Sequence, residues 1–416
     1  MTEEESRSTA SPITGPYAWW LAGIGISLLG SSTFGFALGW TAAATSGTLA
    51  GIVSTAQLLP GLVLVLLGGA VSDRYGPWLT MVISDAAMVT IGVIAGVLIL
   101  AFGTPPWLLS VIAACVGTAN AFYIPASAVV PRLLVAEHQL GRAMAARSIV
   151  GQFSSIVAAP LGGIAVVSLG LANLSWFDAA TYAAILVVLI VHRRQLATKP
   201  AVAHASGDRL LRQAVEGVRL CVRDPLLRPL IIAVAVVAGA LLPLLSVLIP
   251  LLARAQQWQA SAAGAILAAQ LLASAVVSGV VIWRGVWMRA GQGMTAGLLI
   301  AGLGCAALAV AAMPVAAVLG GALLGLGIGI FTSHVAPAVL GETATSHLAR
   351  VQAVLLLIQM LPVVFTANIL GMAADRVGPA PVTMATAGII IVTGLALSAN
   401  RTVRRYTTPR QSAKAP

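Results

Sequence analysis

Few residues in this 416-residue chain could do chemistry, because only 8% are charged. Asp73 and Arg74 come first, in the string Gly69-x-x-x-Asp73-Arg74-x-Gly76 between two long apolar runs. A carboxylate and a guanidinium at that place need partners: each other, another charge or a helix N-terminus. Gly69 gives a neighbouring helix a small face to approach, and Gly76 permits a tight turn back. Four more groups in or beside apolar runs could titrate: Asp178, His334, Asp85 and Glu342. Asp178 is the acid of the first half placed away from the basic face, and it could carry a proton; the alternative is a helix-start carboxylate satisfied by backbone or Thr181. Asp85 is expected to pair with Arg74 or a nearby loop arginine, His334 to make a structural hydrogen bond or titrate, and Glu342 and Arg350 to pair with neighbouring charges. Gln57, Asn120, Tyr123, Gln152, Gln270, Gln359 and Asn368 interrupt the apolar runs. Such groups either line a cavity or bond across helices.

The elements that must hold these residues are transmembrane. Hydrophobic residues make up 59% of the chain, and mean hydropathy is +0.98. Soluble domains carry roughly a quarter charged residues. The length allows about twelve helices of roughly 20–25 residues with short connections. The net charge of +11 follows topology and not nucleic-acid binding. Arg74, Arg132, Arg142, Arg147, the stretch Arg193 to Arg228, Arg284, Arg289, Arg350 and the tail from Arg401 to Lys414 fall in loops on one side. The other side receives Arg254 and Arg376. Basic residues mark the cytoplasmic side, so both termini are expected there. Lys is nearly absent beside Arg, which points to a GC-rich bacterial genome and an inner-membrane location. The first apolar run, from about Tyr17 to Trp40, is too long for a signal peptide. Cys115, Cys221 and Cys305 are odd in number and read as free thiols.

The expected organisation is an N-terminal tail (1–16), a six-helix bundle (17–192), a cytoplasmic linker (193–226), a second bundle (227–400) and a basic tail (401–416). Helix two is expected over about Leu49–Val71 and helix three from near Thr80. In the linker, Asp208 could cap an amphipathic surface helix that ends at Asp224-Pro225. Pro125 in helix four, and Pro160 with Gly162 and Gly163 in helix five, permit bending and close packing. The second half repeats the plan: Gly279 to Arg284 aligns with Gly69 to Arg74, with Trp283 in the place of the acid. A closer copy, Gly371-x-x-x-Asp375-Arg376-x-Gly378, falls on the opposite face by helix count and is not read as the functional second copy.

The Gly69–Gly76 string resembles the signature loop between helices two and three of the major facilitator superfamily, although Pro77-Trp78-Leu79-Thr80 replaces its usual basic end. Asn120-Ala121-Phe122-x-x-Pro125-Ala126, Val130-Pro131-Arg132-Leu133, Glu137, Arg142 and Trp176-Phe177-Asp178-Ala179-Ala180-Thr181-Tyr182 are similar to the drug:proton antiporter branch that holds macrolide-efflux and siderophore-export proteins. Pro160 stands one place nearer the glycines than in that branch, and no arginine interrupts helix four. The resemblance implies an all-α fold of two pseudo-symmetric six-helix bundles with alternating access. It implies proton-driven export of amphipathic small molecules, with a small-molecule substrate and protons as partners in the bilayer. Asp178 or a partner would carry the proton, the amides would line the path, and Asp73–Arg74 would latch the cytoplasmic side of the outward-facing state. A monomer is expected. No nucleophile–base set, phosphate loop or metal cluster appears, so neither an enzyme nor a cofactor is expected. Two other readings stand: an importer or uniporter of a neutral solute on the same fold, and a membrane sensor that moves nothing.

Overall fold

A computed structural model describes residues 15–196, 219, 223–285, 289–341 and 348–406. Its long helices are α1 (Gly15–Thr45), α2 (Gly47–Tyr75), α3 (Pro77–Phe102), α4 (Pro106–Leu134), α5 (Leu140–Ser168) and α6 (Gly170–Val191). The second half has α7 (Leu227–Ala255), then α8 (Ala260–Arg284), α9 (Ala290–Val310), α10 (Pro314–Gly341), α11 (Leu348–Val377) and α12 (Pro379–Ala399). Among the described residues, twelve helices are long and apolar enough to span a membrane. Their outward residues, such as Ile83, Leu100, Phe153 and Leu319, are exposed and apolar, as a lipid-facing surface requires. The expected linker helix from Asp208 lies outside the described residues, as do most of both tails, Cys221 and Glu342.

Two cores form, one per bundle. Trp20, Leu109 and Ile185 belong to the first; Leu230, Met294, Leu324 and Ile390 belong to the second. Small residues set the packing distance, since lipid supplies no hydrophobic drive between helices. The cores interlock at one end. Trp40 of α1 packs into the second core, while Val247 and Ala367 pack into the first. We call this end, where α1 finishes, the distal face. The opposite end, where α1 begins and α12 finishes, is the proximal face.

Local sequence explains the helix ends. Ser46 breaks α1 from α2 with an extended backbone (φ −167°), and its Oγ accepts from the Leu49 N–H at 3.0 Å, an N-cap. Gly76 alone separates α2 from α3, at φ +92°, and Pro77 starts α3 where a missing N–H costs nothing. Helix three therefore starts at Pro77, before the expected Thr80, and Asp73 and Arg74 belong to the last turn of α2, not to a loop. Within α7 a π turn spans Leu244–Leu248, closed by the Ile249 N–H on the Leu244 carbonyl and flanked by Pro243 and Pro250.

Candidate functional site

Two central cavities lie between the bundles. The proximal one, about 770 Å³, is lined by α1, α2, α4, α5, α6 and α11, with Ser31, Asn120, Tyr123, Arg147, Tyr182 and Met360 among its residues. The distal one, about 330 Å³, has Ser32, Phe36, Ser54, Ser246 and Gln270 in its wall. Gln57 belongs to both walls. It stands at the boundary between the two cavities.

Several contacts between the bundles close the distal face. Arg254 of α7 donates to the Trp40 carbonyl through Nε at 3.1 Å and Nη2 at 2.7 Å, and lies 4.1 Å from the Trp40 ring centre. Asn368 of α11 donates to Thr55 Oγ1 of α2 at 2.7 Å. On the other side of the path, α5 meets α8 through glycines. A Cβ on Gly163 would strike the Ala260 backbone, and one on Gly264 would strike that of Ala159 beside Pro160. Gly162 meets Thr33 and Phe36 of α1 in the same way. The Pro160–Gly163 run thus forms a bundle-to-bundle contact.

Arg147 is the one charged side chain in the proximal cavity wall among the described residues. Counted in the sequence with the loop arginines, it lies two turns into α5. Its guanidinium donates to the Ser127 carbonyl and hydroxyl, both at 3.0 Å, and sits 5.5 Å from the Trp20 ring centre. The available signal was its position thirteen residues before Pro160, within reach of the same helix.

Asp178 is buried and does not line the cavity. Ser31 connects it: Ser31 Oγ lies 2.8 Å from the Tyr182 hydroxyl and 3.3 Å from Asp178 Oδ1. The carboxylate is thus one hydroxyl away from the cavity. Thr181 Oγ1 donates to the main-chain carbonyl of Asp178 at 2.7 Å.

The other sequence-derived candidates fall in varied places. Asp85 is fully buried, and neither carboxyl oxygen has a hydrogen-bond partner among the described residues. It does not pair with Arg74, which is exposed and lies 5.4 Å from the Tyr75 ring centre. The reason is distance: α3 starts at Pro77, so Asp85 lies about 12 Å along it at 1.5 Å per residue. His334 is buried, with Nδ1 2.7 Å from the Ile330 carbonyl, and lines neither central cavity. Gln152 is exposed on α5 with Nε2 3.4 Å from Ser148 Oγ. It is outside both cavity walls, whereas Ser148 and Gly151 face the proximal one. Gln359 Nε2 donates to the Leu355 carbonyl at 3.1 Å, next to cavity-lining Met360. Pro125 lies inside α4 and Pro160 inside α5. Gly68, not Gly69, takes the close helix approach, against Ala121; Gly69 has open space around it.

A central path between two six-helix bundles, closed at one end, defines a membrane transporter. The family model of the Major Facilitator Superfamily matches residues 20–367, and the chain belongs to that family. A curated relative, the multidrug efflux pump Tap of Mycolicibacterium fortuitum, is 30% identical over 207 residues. That match covers 48% of this chain and 50% of the relative, so it spans about half of each. Among solved structures, the nucleoside transporter NupG superposes with a TM-score of 0.70 at 16% identity, covering 95% of this chain and all of NupG. A sulfate-bound peptide transporter POT gives a TM-score of 0.72 at 14% identity, covering 98% of this chain and all of that one. At such identity these likenesses speak for the fold.

Proposed function

We propose that this protein exports amphipathic small molecules in exchange for protons, by alternating access in a bacterial cytoplasmic membrane. The bundles of residues 17–192 and 227–400 would rock about the central path, joined by the linker 193–226, with the proximal face cytoplasmic. The observation that carries this reading is the Ser31 bridge, which puts a buried carboxylate one hydroxyl away from the solute cavity. A proton on Asp178 and a solute beside Ser31 and Tyr182 would compete for the same hydroxyls. That competition is what exchange requires, because each partner must weaken the hold on the other. The cavity wall, mostly apolar with Gln57, Asn120 and Tyr123, suits an amphiphile. Arg147 favours a neutral or anionic solute over a cation. The efflux activity of the Tap relative agrees with the direction. Distal residues Arg254, Asn368 and Gly163 would then close the outer side, and Asp73 would latch the cytoplasmic side in the alternate state.

Expression in a pump-deficient bacterium tests this. Resistance to a compound panel should appear, vanish with an uncoupler and vanish in Asp178→Asn. Uncoupler-sensitive export that survives Asp178→Asn would remove Asp178 as carrier. A second reading, a uniporter with a structural carboxylate, draws on the same enclosure of Asp178; it predicts solute movement indifferent to the uncoupler.

A further inference from the structure

α2 and α11 form an antiparallel pair along the path. A Cβ on Gly47 would strike the Gly371 carbonyl and one on Gly51 that of Ala367, and Thr55 Oγ1 donates to the Val364 carbonyl at 3.1 Å. Four residues up one helix are thus matched by about four down the other. Both helices end in one string, Gly-x-x-x-Asp-Arg-x-Gly-Pro: Gly69 to Pro77 on α2 and Gly371 to Pro379 on α11. Both strings turn through a glycine of positive φ, +92° at Gly76 and +90° at Gly378.

The two ends differ in what the aspartate holds. Asp375 Oδ1 accepts from the Gly47 N–H at 2.6 Å. Its Oδ2 accepts from the Thr48 N–H at 2.8 Å and the Thr48 hydroxyl at 2.6 Å. These N–H groups open α2, where a helix leaves donors free and its dipole favours an anion. Asp73 is exposed and accepts no hydrogen bond among the described residues. One aspartate is engaged and its counterpart is free, and the engaged one stands at the closed face.

We propose that Asp375 is a gating residue, a distal latch that holds the outer side shut while the proximal cavity is open. It releases the start of α2 when the pair splays at that end. The contact suits a latch. Charge-assisted bonds to main-chain donors are strong enough to bias an equilibrium. Asp375 is exposed even while it holds Gly47 and Thr48, and it borders a polar cavity of about 480 Å³ with Ser46 and Arg254, so letting go leaves no buried charge. The proposal rests on alternating access, and on neither the proton nor the direction of transport.

Cysteine accessibility in the full-length protein in oriented vesicles tests it without a substrate. In a background with Cys115, Cys221 and Cys305 replaced by alanine, Ala50→Cys reports the distal side, being buried in the distal cavity wall. Leu357→Cys reports the proximal cavity. Asp375→Asn should raise labelling of Ala50→Cys from the distal face several-fold by an impermeant maleimide. It should lower labelling of Leu357→Cys from the proximal face. Thr48→Ala should act in the same direction and less, since both N–H donors remain. Unchanged rates in Asp375→Asn, or rates raised at both faces as in local loosening, overturn the proposal. Failure of the efflux assay leaves this readout intact, so the two readings fall separately.

Discussion

Asp85 receives no hydrogen bond among the described residues, and it lies too far along α3 for Arg74. A buried polar group without a partner costs about 1–3 kcal/mol on protein mutational scales. Asp85→Leu, which removes the polar group and keeps a similar volume, should raise stability by an amount of that order, read as a higher unfolding temperature in detergent. A lower one would mean that the carboxyl has a stabilising partner. Asp178 contrasts with it: the Ser31 hydroxyl reaches it, so Asp178→Asn should act on coupling more than on folding. Gln57, Asn120, Tyr123 and Gln270 were legible in the sequence because an amide or phenol inside an apolar run needs a cavity or a bond. Gln152 was not, because its neighbours Ser148 and Gly151 share the cavity side of α5 and one further step of the helix turns outward. The Ser31–Asp178 bridge was hidden because its ends are 147 positions apart.

At the scale of elements, the helix count and order followed from hydropathy, while the ends shifted outward. Hydropathy stops where the lipid stops, but the backbone continues to its caps: Ser46 before α2, Gly76 after it. Gly76 sits at φ +92° and ψ 147°, a region that is nearly glycine-only and costs other residues about 1–3 kcal/mol. Gly76→Ala should therefore lower the yield of folded protein and its melting temperature by that order, while a change at open Gly69 should be mild for folding. Helix count puts the Asp375 string on the distal face but does not show what it holds, because its partner, Gly47, is 328 positions away in the other bundle. Spacing within one helix cannot show such a contact.

For the whole molecule, what counts is how the halves hold together at the distal face. Arg254 grips the Trp40 carbonyl with two bonds and covers its ring. A hydrogen bond from a charged group contributes about 1.5–3 kcal/mol. Arg254→Gln should shift the population toward distal opening, raising distal labelling of Ala50→Cys, and together with Asp375→Asn the shift should exceed either alone. No increase in the single variant would mean that the other contacts between the bundles keep the face closed without Arg254. The π turn of α7 lies between this arginine and the rest of its helix. It holds one residue more than the regular spiral, a length of spare chain wound into the helix. Drawn out to ordinary α geometry, it would turn everything beyond it by about 100°. Arg254 would then swing off Trp40 like a key turned in its lock, so unwinding a single coil and parting the two halves would be one motion.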